Sequence, residues 1–308
     1  MGATLHLPQQ NTVKCRLLII LAGLLLASAV AHAGFFYVAN YGNNTIEKFA
    51  ADGTDLGVFA NTGLNGPEGL AFDSSGNLYA ANVTINTIEK FAPDGTPSLF
   101  ANTGLNGPEG LAFDSSGNLY VANYYNSTIE KFASNGTPSL FANTGLNGPD
   151  GLAFDNSGNL YVANFSGNAI EKFGPIGTDL GIFASTGLNG PAGLAFDNSG
   201  NLYAANYHNS TIEEFAPNGT PSLFANTGLN GPVGLSFDSS GNLYAVNYGN
   251  TTIEKFAPNG TDLGVFANSG LNGPLAIAAQ FPPVPEPSTL VMVISGAAAF
   301  LVCRRRRK

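Results

Sequence analysis

The sequence repeats a unit of about 41 residues along most of its length. Copies of Gly-Leu-Asn-Gly-Pro mark the units, and neighbouring copies lie 41 or 42 residues apart. The copies begin at Gly63, Gly104, Gly145, Gly187, Gly228 and Gly270. A period near 40 residues that contains only short apolar runs is typical of a β-propeller blade. The repeat therefore predicts a β-propeller.

Each unit contains four short apolar runs separated by turn sequences. In one unit these runs are a (Leu111–Asp114), b (Leu119–Asn123), c (Thr128–Phe132) and d (Ser139–Ala142). The turns carry Asp-Ser-Ser-Gly-Asn between a and b and Asn-Gly or Asp-Gly between c and d, where glycine supplies the positive φ of tight hairpins. Units with Thr-Asp-Leu-Gly are one residue longer than units with Thr-Pro-Ser-Leu, which predicts a bulge at the start of strand d.

The repeat begins and ends on incomplete units. It opens at Phe35 with a strand b and closes over residues 273–280 with a strand a. The last strand fits the vacancy in the first blade, which removes the open edge. We predict an all-β, six-bladed β-propeller over residues 34–281, with four strands per blade, closed by pairing the N-terminal strands b, c and d with a C-terminal strand a. A linear β-solenoid is the alternative, but it gives no reason for two complementary half-units.

The repeated sequence Gly-Pro-x-Gly-Leu-Ala-Phe-Asp-x-x-Gly-Asn-Leu-Tyr-Val-Ala-Asn resembles the NHL-type repeat of six-bladed propellers, and the resemblance spans residues 35–280. The chain contains no Trp, so the Trp-Asp signature of WD40 propellers is absent. Phe and Leu are expected to fill the space between blades.

Residues 1–33 have the three parts of a secretory signal peptide. Lys14 and Arg16 precede an apolar run over residues 17–30, and Ala31-His32-Ala33 is a small-x-small cleavage site. A first transmembrane helix is the alternative, but it needs about twenty apolar residues. We therefore predict export.

Residues 282–308 also have three parts: Pro285-Glu286-Pro287, an apolar stretch from Leu290 to Cys303, and four Arg and a Lys at 304–308. This order resembles the PEP-CTERM sorting signal of Gram-negative envelope proteins. The resemblance implies that an exosortase recognises Pro285, Glu286 and Pro287 and removes the tail, after a short C-terminal helix has held the chain in the membrane. The product would lie in the cell envelope, on the cell surface or outside the cell. An ordinary C-terminal anchor is the alternative.

Between these two ends the chain is strongly acidic. Residues 34–281 carry five Lys and no Arg against twenty Asp and Glu. Such a domain repels nucleic acid and anionic membrane surfaces and favours cations or neutral ligands. Cys15 and Cys303 lie outside this region, and His208 is its single histidine, which excludes mechanisms that need two histidines. We expect a monomer without disulfides.

One position in the repeat varies while its neighbours stay fixed. It follows the Pro of Gly-Leu-Asn-Gly-Pro, begins the innermost strand, and is predicted to surround one mouth of the central channel. Its six residues are Glu68, Glu109, Asp150, Ala192, Val233 and Leu275. The loops between strands b and c open at the same mouth and also vary, so we predict a ligand-binding face there. Its candidate residues are Tyr41, Tyr124, Tyr125, Phe165, Tyr207, His208 and Tyr248.

Glu68, Glu109 and Asp150 fall on consecutive blades and are candidate metal ligands. Adjacent carboxylates persist only when they are hydrated, partly protonated or bound to a cation. Calcium prefers such oxygen ligands. Pro149-Asp150-Gly151 resembles a metal-ligand motif of the regucalcin and gluconolactonase family, although Asn stands in all six units where that family has a Glu-x-Pro ligand.

Two polar positions recur in nearly every unit. The Asn that ends strand b, such as Asn123, is expected to hydrogen-bond its own loop. The Glu-Lys pair of strand c, such as Glu130-Lys131, points to opposite sides of its strand and is expected to be solvated.

Two functions follow from the sequence. The first is a non-catalytic binding or scaffold module at the cell surface, with an extracellular polysaccharide or a surface protein as its partner. The second is a calcium-dependent lactonase-like hydrolase, in which a cation on Glu68, Glu109 and Asp150 polarises a carbonyl. Near-identical blades and a single histidine favour the first.

Overall fold

The computed structural model describes residues 34–281, so the predicted signal peptide at 1–33 and sorting region at 282–308 lie outside the described residues. The described chain forms 24 strands in six four-stranded antiparallel sheets. The strands are β1 (Phe35–Asn40), β2 (Thr45–Ala50), β3 (Asp55–Ala60), β4 (Pro67–Phe72), β5 (Leu78–Asn82), β6 (Thr87–Phe91), β7 (Pro97–Ala101), β8 (Pro108–Phe113), β9 (Leu119–Asn123), β10 (Thr128–Phe132), β11 (Pro138–Ala142), β12 (Pro149–Phe154), β13 (Leu160–Asn164), β14 (Ala169–Phe173), β15 (Asp179–Ala184), β16 (Pro191–Phe196), β17 (Leu202–Asn206), β18 (Thr211–Phe215), β19 (Pro221–Ala225), β20 (Pro232–Phe237), β21 (Leu243–Asn247), β22 (Thr252–Phe256), β23 (Asp262–Ala267) and β24 (Pro274–Gln280).

The six sheets are the blades of a propeller, and the predicted closure is confirmed. Blade 1 has the strand order β24-β1-β2-β3, whereas each of the other blades is built from four consecutive strands. Strand β24 pairs with β1 from Phe35 opposite Gln280 to Asn40 opposite Pro274. The two ends of the propeller sequence therefore complete one sheet without a covalent link.

The core lies between blades rather than inside one sheet. Between blades 2 and 3, Tyr79 and Ile88 of one blade pack with Leu119 and Phe132 of the next, and all four are at most 4% exposed. Tyr79 meets the rings of Phe100 and Phe113 edge-on at centroid distances of 5.0 Å. Such edge-to-face pairs are favourable. Phe and Leu thus fill the space between blades, as predicted, together with the Tyr of strand b.

The Asn that ends strand b bonds across its own loop, as expected, since Asn123 donates to the hydroxyl of Thr128 at 3.1 Å. It also fixes the loop that enters its blade. Asn123 is 1% exposed. Its side chain donates to the carbonyl of Gly104 at 2.9 Å and accepts from the backbone N–H of Asn106 at 3.0 Å. In blade 1, Asn40 makes the same two bonds to Gly270 and Asn272, across more than 200 residues of sequence. The repeated Asn therefore also ties the ring closed.

The predicted bulge in the longer units is confirmed. In blade 1, Glu47 lies opposite Val58 and Phe49 opposite Asp55, so Leu56 and Gly57 share the single partner position of Lys48. Gly57 has a φ of 89°, which glycine adopts without steric cost. The extra residue is absorbed at the outer edge and leaves the channel unchanged.

A second bulge lies on the innermost strand, at the variable position. In blade 3, Pro108 pairs with Asn123 and Leu111 with Val121, so Glu109 and Gly110 both oppose Ala122. A Cβ added to Gly110 would collide with the backbone carbonyl of Asp150 on the next blade. The inner strands are therefore close enough around the channel that this glycine has no room for a side chain.

We predict that Gly110→Ala destabilises the propeller by about 1–3 kcal/mol or more, because its methyl group overlaps backbone that cannot move aside. The matched control is Gly174→Ala, since the nearest atom to an added Cβ there is 3.7 Å away and the equivalent residue in the other five blades is Ala. Urea unfolding of both variants measures the difference. Equal stabilities for the two variants would contradict the close approach of the inner strands.

Candidate functional site

The central channel opens at one end into a cavity of about 470 Å³. We call this end the channel mouth; it is formed by the first residues of the inner strands and by the loops between strands b and c. All six variable residues line the cavity: Glu68, Glu109, Asp150, Ala192, Val233 and Leu275. The inner-strand bulge aims these side chains at the channel, which explains why only this position varies among fixed neighbours.

An aromatic wall surrounds most of the mouth. Its members are Tyr41, Tyr124, Phe165, Tyr207 and Tyr248, one from each of five blades. Four members form a row of ring contacts: the ring centroids are 6.4 Å apart for Tyr124–Phe165, 6.0 Å for Phe165–Tyr207 and 6.3 Å for Tyr207–Tyr248. In blade 2 the equivalent residue is Val83, so the wall has a gap on the blade that carries Glu68.

The other two predicted face residues lie beside the wall rather than in the cavity lining. Tyr125 is 68% exposed and contacts the ring of Tyr124 at 5.7 Å. His208 packs between Phe165 and Tyr207, at 5.2 and 5.3 Å. Tyr125 and His208 directly follow wall residues in the sequence. The sequence does not show that their side chains lie outside the cavity, because successive residues of a tight turn point in different directions.

Hydrogen bonds to the neighbouring loops hold the wall in place. The backbone N–H of Tyr124 donates to the carbonyl of Gly107 at 2.9 Å. The N–H of Gly107 in turn donates to the Asn86 side chain of the preceding blade at 2.7 Å. Asn86 has a φ of 53°, a left-handed conformation that Asn tolerates better than most residues. The equivalent glycine donates to a side chain of the preceding blade in four further blades, so the blade before fixes five of the six mouth loops.

The three acidic residues of the channel, which we call the acid trio, share one electrostatic environment. Burial, together with the charge of Asp150, raises the pKa of Glu68 to about 8. Burial also raises the pKa of Asp150, and burial with the charges of Asp150 and Glu68 raises that of Glu109. Among residues 34–281, Oε2 of Glu68 has no hydrogen-bond partner. Burial and mutual repulsion therefore favour the protonated form of these carboxyls.

The acid trio does not form a preorganised metal site. Within the described part of the chain, no group of three or more His, Cys, Asp or Glu side chains is arranged to hold a metal ion. Protonation of these carboxyls would further oppose calcium, which binds the ionised form. Calcium binding by Glu68, Glu109 and Asp150 stays a prediction from the sequence.

The prediction that the strand-c Glu-Lys pairs are solvated is wrong for four of the six glutamates, which are buried, whereas Glu130 and Glu213 are half-buried. Glu47, Glu171 and Glu254 are each 4% exposed. They lie against the glycine of the loop that joins strand d of one blade to strand a of the next. For instance, a Cβ added to Gly145 would be 3.1 Å from Cγ of Glu171. Both sides of a blade pack against neighbours, so alternation along a strand does not give a solvated side.

Three of these glutamates face an Asp at the start of strand d. Burial and the Asp raise the pKa of Glu47 beside Asp55, Glu171 beside Asp179 and Glu254 beside Asp262, each to about 7. These Asp residues occur only in the three longer units. In the shorter units Pro97, Pro138 and Pro221 begin strand d.

We predict that the melting temperature falls as the pH rises from about 4.5 to about 7. Between about pH 4.5 and pH 7 an acid with a raised pKa keeps its proton in the folded state, whereas in the unfolded state it loses the proton above its ordinary pKa of 4.5. Its contribution to stability is therefore full below about pH 4.5 and declines toward pH 7. Combining Glu47→Gln, Glu171→Gln and Glu254→Gln should flatten this decline.

The control for this prediction combines Glu89→Gln, Glu130→Gln and Glu213→Gln in the shorter units. These glutamates face Pro rather than Asp, so the control should retain most of the pH dependence. Calorimetry between about pH 5 and pH 8 compares the two. Parallel pH curves for wild type and the first triple variant would rule out the carboxyl pairs as the cause.

Comparison with known proteins supports the fold and the sorting signal. The NHL repeat family matches residues 105–132, and the PEP-CTERM protein-sorting motif matches residues 283–308. No significant match was found among curated proteins. Within the described residues, no helix has the length and apolarity to span a bilayer.

Solved structures share the architecture at low sequence identity. One chain in the crystal structure of a nidogen/laminin complex is 22% identical to this chain. The match covers 80% of this chain and 98% of that chain, with a TM-score of 0.72. A gluconolactonase from Xanthomonas campestris is 20% identical over 67% and 77% of the two chains, with a TM-score of 0.59. A virginiamycin B lyase from Staphylococcus aureus is 17% identical over 71% of each chain, with a TM-score of 0.55. Similarity at this level defines the fold alone.

The described chain is a six-bladed β-propeller, and its segment 105–132 matches the NHL repeat. The sorting motif adds that this propeller is exported across the inner membrane, processed by an exosortase and delivered to the cell envelope or surface.

Proposed function

We propose that this propeller is a non-catalytic binding module at the cell surface and that its ligand is an extracellular polysaccharide held at the channel mouth. The observation that carries the proposal is the aromatic wall around a cavity of about 470 Å³. Binding pockets of this size usually combine apolar walls with a few convergent polar groups. Here Tyr supplies the walls and the acid trio supplies the polar groups.

The composition of the mouth loops supports binding rather than catalysis. Tyr, Ser, Gly and Asn dominate these loops, as in Tyr124-Tyr125-Asn126-Ser127 and Tyr207-His208-Asn209-Ser210. The same residues dominate adaptable binding surfaces, because Tyr gives a large rigid contact and the small polar residues adapt their hydrogen bonds. The acid trio makes a neutral or positively charged polysaccharide the expected ligand, since an anionic chain would be repelled.

Tyr124→Ala should weaken polysaccharide binding at least about tenfold, which corresponds to about 1.4 kcal/mol, because it removes a ring that lines the cavity. Tyr125→Ala is the matched control: it removes the same side chain one residue later, outside the cavity lining, and should leave affinity nearly unchanged. A glycan array selects the ligand and calorimetry measures both variants. No glycan bound by wild type, or equal losses in the two variants, would reject the proposal.

The lactonase alternative rests on Pro149-Asp150-Gly151, whose Asp lines the cavity. If calcium binds the acid trio, added calcium will raise the melting temperature by stabilising the folded state, and Glu109→Gln will remove the rise. For a binding module we expect no shift from calcium or from a chelator. A calcium-dependent shift that Glu109→Gln abolishes would instead support the hydrolase.

A further inference from the structure

The chain enters and leaves the propeller on the side opposite the channel mouth. We call this side the back face; it is formed by the turns between strands a and b and between strands c and d. Strand β24 starts at the mouth with Pro274 and ends at Gln280. The Gln280 side chain donates to the carbonyl of Gly76, in an a–b turn, at 3.4 Å and accepts from the hydroxyl of Tyr37 at 3.3 Å. The chain that leads to the sorting motif therefore leaves from the back face.

The sorting motif lies too close in sequence to reach the mouth. Four residues lie between Gln280 and Pro285, and the five residue steps from one to the other span at most about 18 Å of extended chain. Each inner strand alone is about 20 Å long from the mouth to the back face. An exosortase that acts at Pro285-Glu286-Pro287 must therefore approach the back face.

Formal charge differs between the two sides of the propeller. Twelve of its twenty acidic residues lie on the mouth side, because they line the cavity or pack against the loops that open there. They are the acid trio, the strand-c glutamates Glu47, Glu89, Glu130, Glu171, Glu213 and Glu254, and the strand-d aspartates Asp55, Asp179 and Asp262. The mouth side thus carries most of the acidic residues, and it keeps a net negative charge although burial raises the pKa values of several of them.

The back face is nearly neutral because all five lysines lie there. Lys90 is 3.7 Å from Asp73, whose side chain accepts hydrogen bonds within the a–b turn, and 5.2 Å from the ring of Tyr79. Equivalent ion pairs recur in three further blades at 3.8 to 4.0 Å. The back face carries eight acidic residues against five lysines, a formal charge of −3.

From these two observations we infer that the back face is the surface that meets the membrane in which the tail is held, and that the mouth is presented outward. An anionic membrane surface repels the mouth side more strongly than the nearly neutral back face. Tail geometry and charge thus select the same orientation. This inference depends on the sorting motif and the fold, not on the ligand proposed above.

Cysteine labelling on spheroplasts of cells that lack the exosortase tests the orientation, because the tail then stays in place and residues 34–281 contain no Cys. Tyr125→Cys places a thiol at the mouth, and Ser115→Cys places one in an exposed a–b turn of the same blade. A large polymer-linked maleimide should label Tyr125→Cys several-fold faster than Ser115→Cys on spheroplasts. Both should label at similar rates in the purified protein, which controls for intrinsic reactivity. Equal rates on spheroplasts, or faster labelling of Ser115→Cys, would overturn the inference.

Circular permutation provides a second test, because Gly34 lies against the ring of Phe281 and a short linker can join them. One permutant opens between Asn126 and Ser127 at the mouth, and its control opens between Ser134 and Asn135 in the c–d turn of the back face. Both keep residues 1–33 and 282–308 at their new ends.

The mouth-opened permutant should reverse the labelling order on spheroplasts, whereas the control should keep it. An unchanged order in a folded mouth-opened permutant would overturn the inference. If that permutant does not fold, the labelling rates of the unpermuted chain decide the question. Polysaccharide binding by the purified protein is measured separately, so failure of the proposed ligand and failure of the proposed orientation remain distinguishable.

Discussion

The pairing of β24 with β1 is the interaction on which the rest of the propeller depends. Every blade buries its apolar faces only against its two neighbours, as Tyr79 and Phe132 do between blades 2 and 3. A ring with one unfilled edge would expose such a face and a row of unpaired backbone groups. The register from Phe35 to Asn40 closes that edge. It also keeps the inner strands at the spacing that brings Gly110 against the backbone of the next blade.

That close spacing sets the chemistry of the channel. The bulge that carries Glu109 directs one side chain per blade into a narrow space, so three acidic residues on consecutive blades lose much of their hydration. Their pKa values rise for that reason first and because of mutual repulsion second. The same pattern occurs farther out, where Glu171 beside Asp179 is buried under a loop glycine. The propeller thus favours the protonated form of carboxyls at two distances from its axis.

Most of the fold was predictable because the evidence for it is periodic. The spacing of Gly-Leu-Asn-Gly-Pro predicts the blades, and the half-units at Phe35 and Pro274 predict how the ring closes. The position of Asp150 on the cavity wall followed from its place at the start of an inner strand. The burial of Glu47 did not follow, because it depends on contact between sheets, which alternation along one strand does not describe. For the same reason, sequence could not separate Tyr124 in the cavity wall from Tyr125 beside it.

The pairing of β24 with β1 has a mechanical consequence. If the sorted chain is held through the residues after Gln280, a ligand that pulls on the mouth loads β24 along its own length. The hydrogen bonds between β24 and β1 lie across that direction and share the force, so they resist together instead of separating one at a time. The strand that completes the ring is then also its main tension-bearing element. The pairing of β24 with β1, which no covalent link closes, would carry the force along its strands, the direction in which a β-sheet resists best.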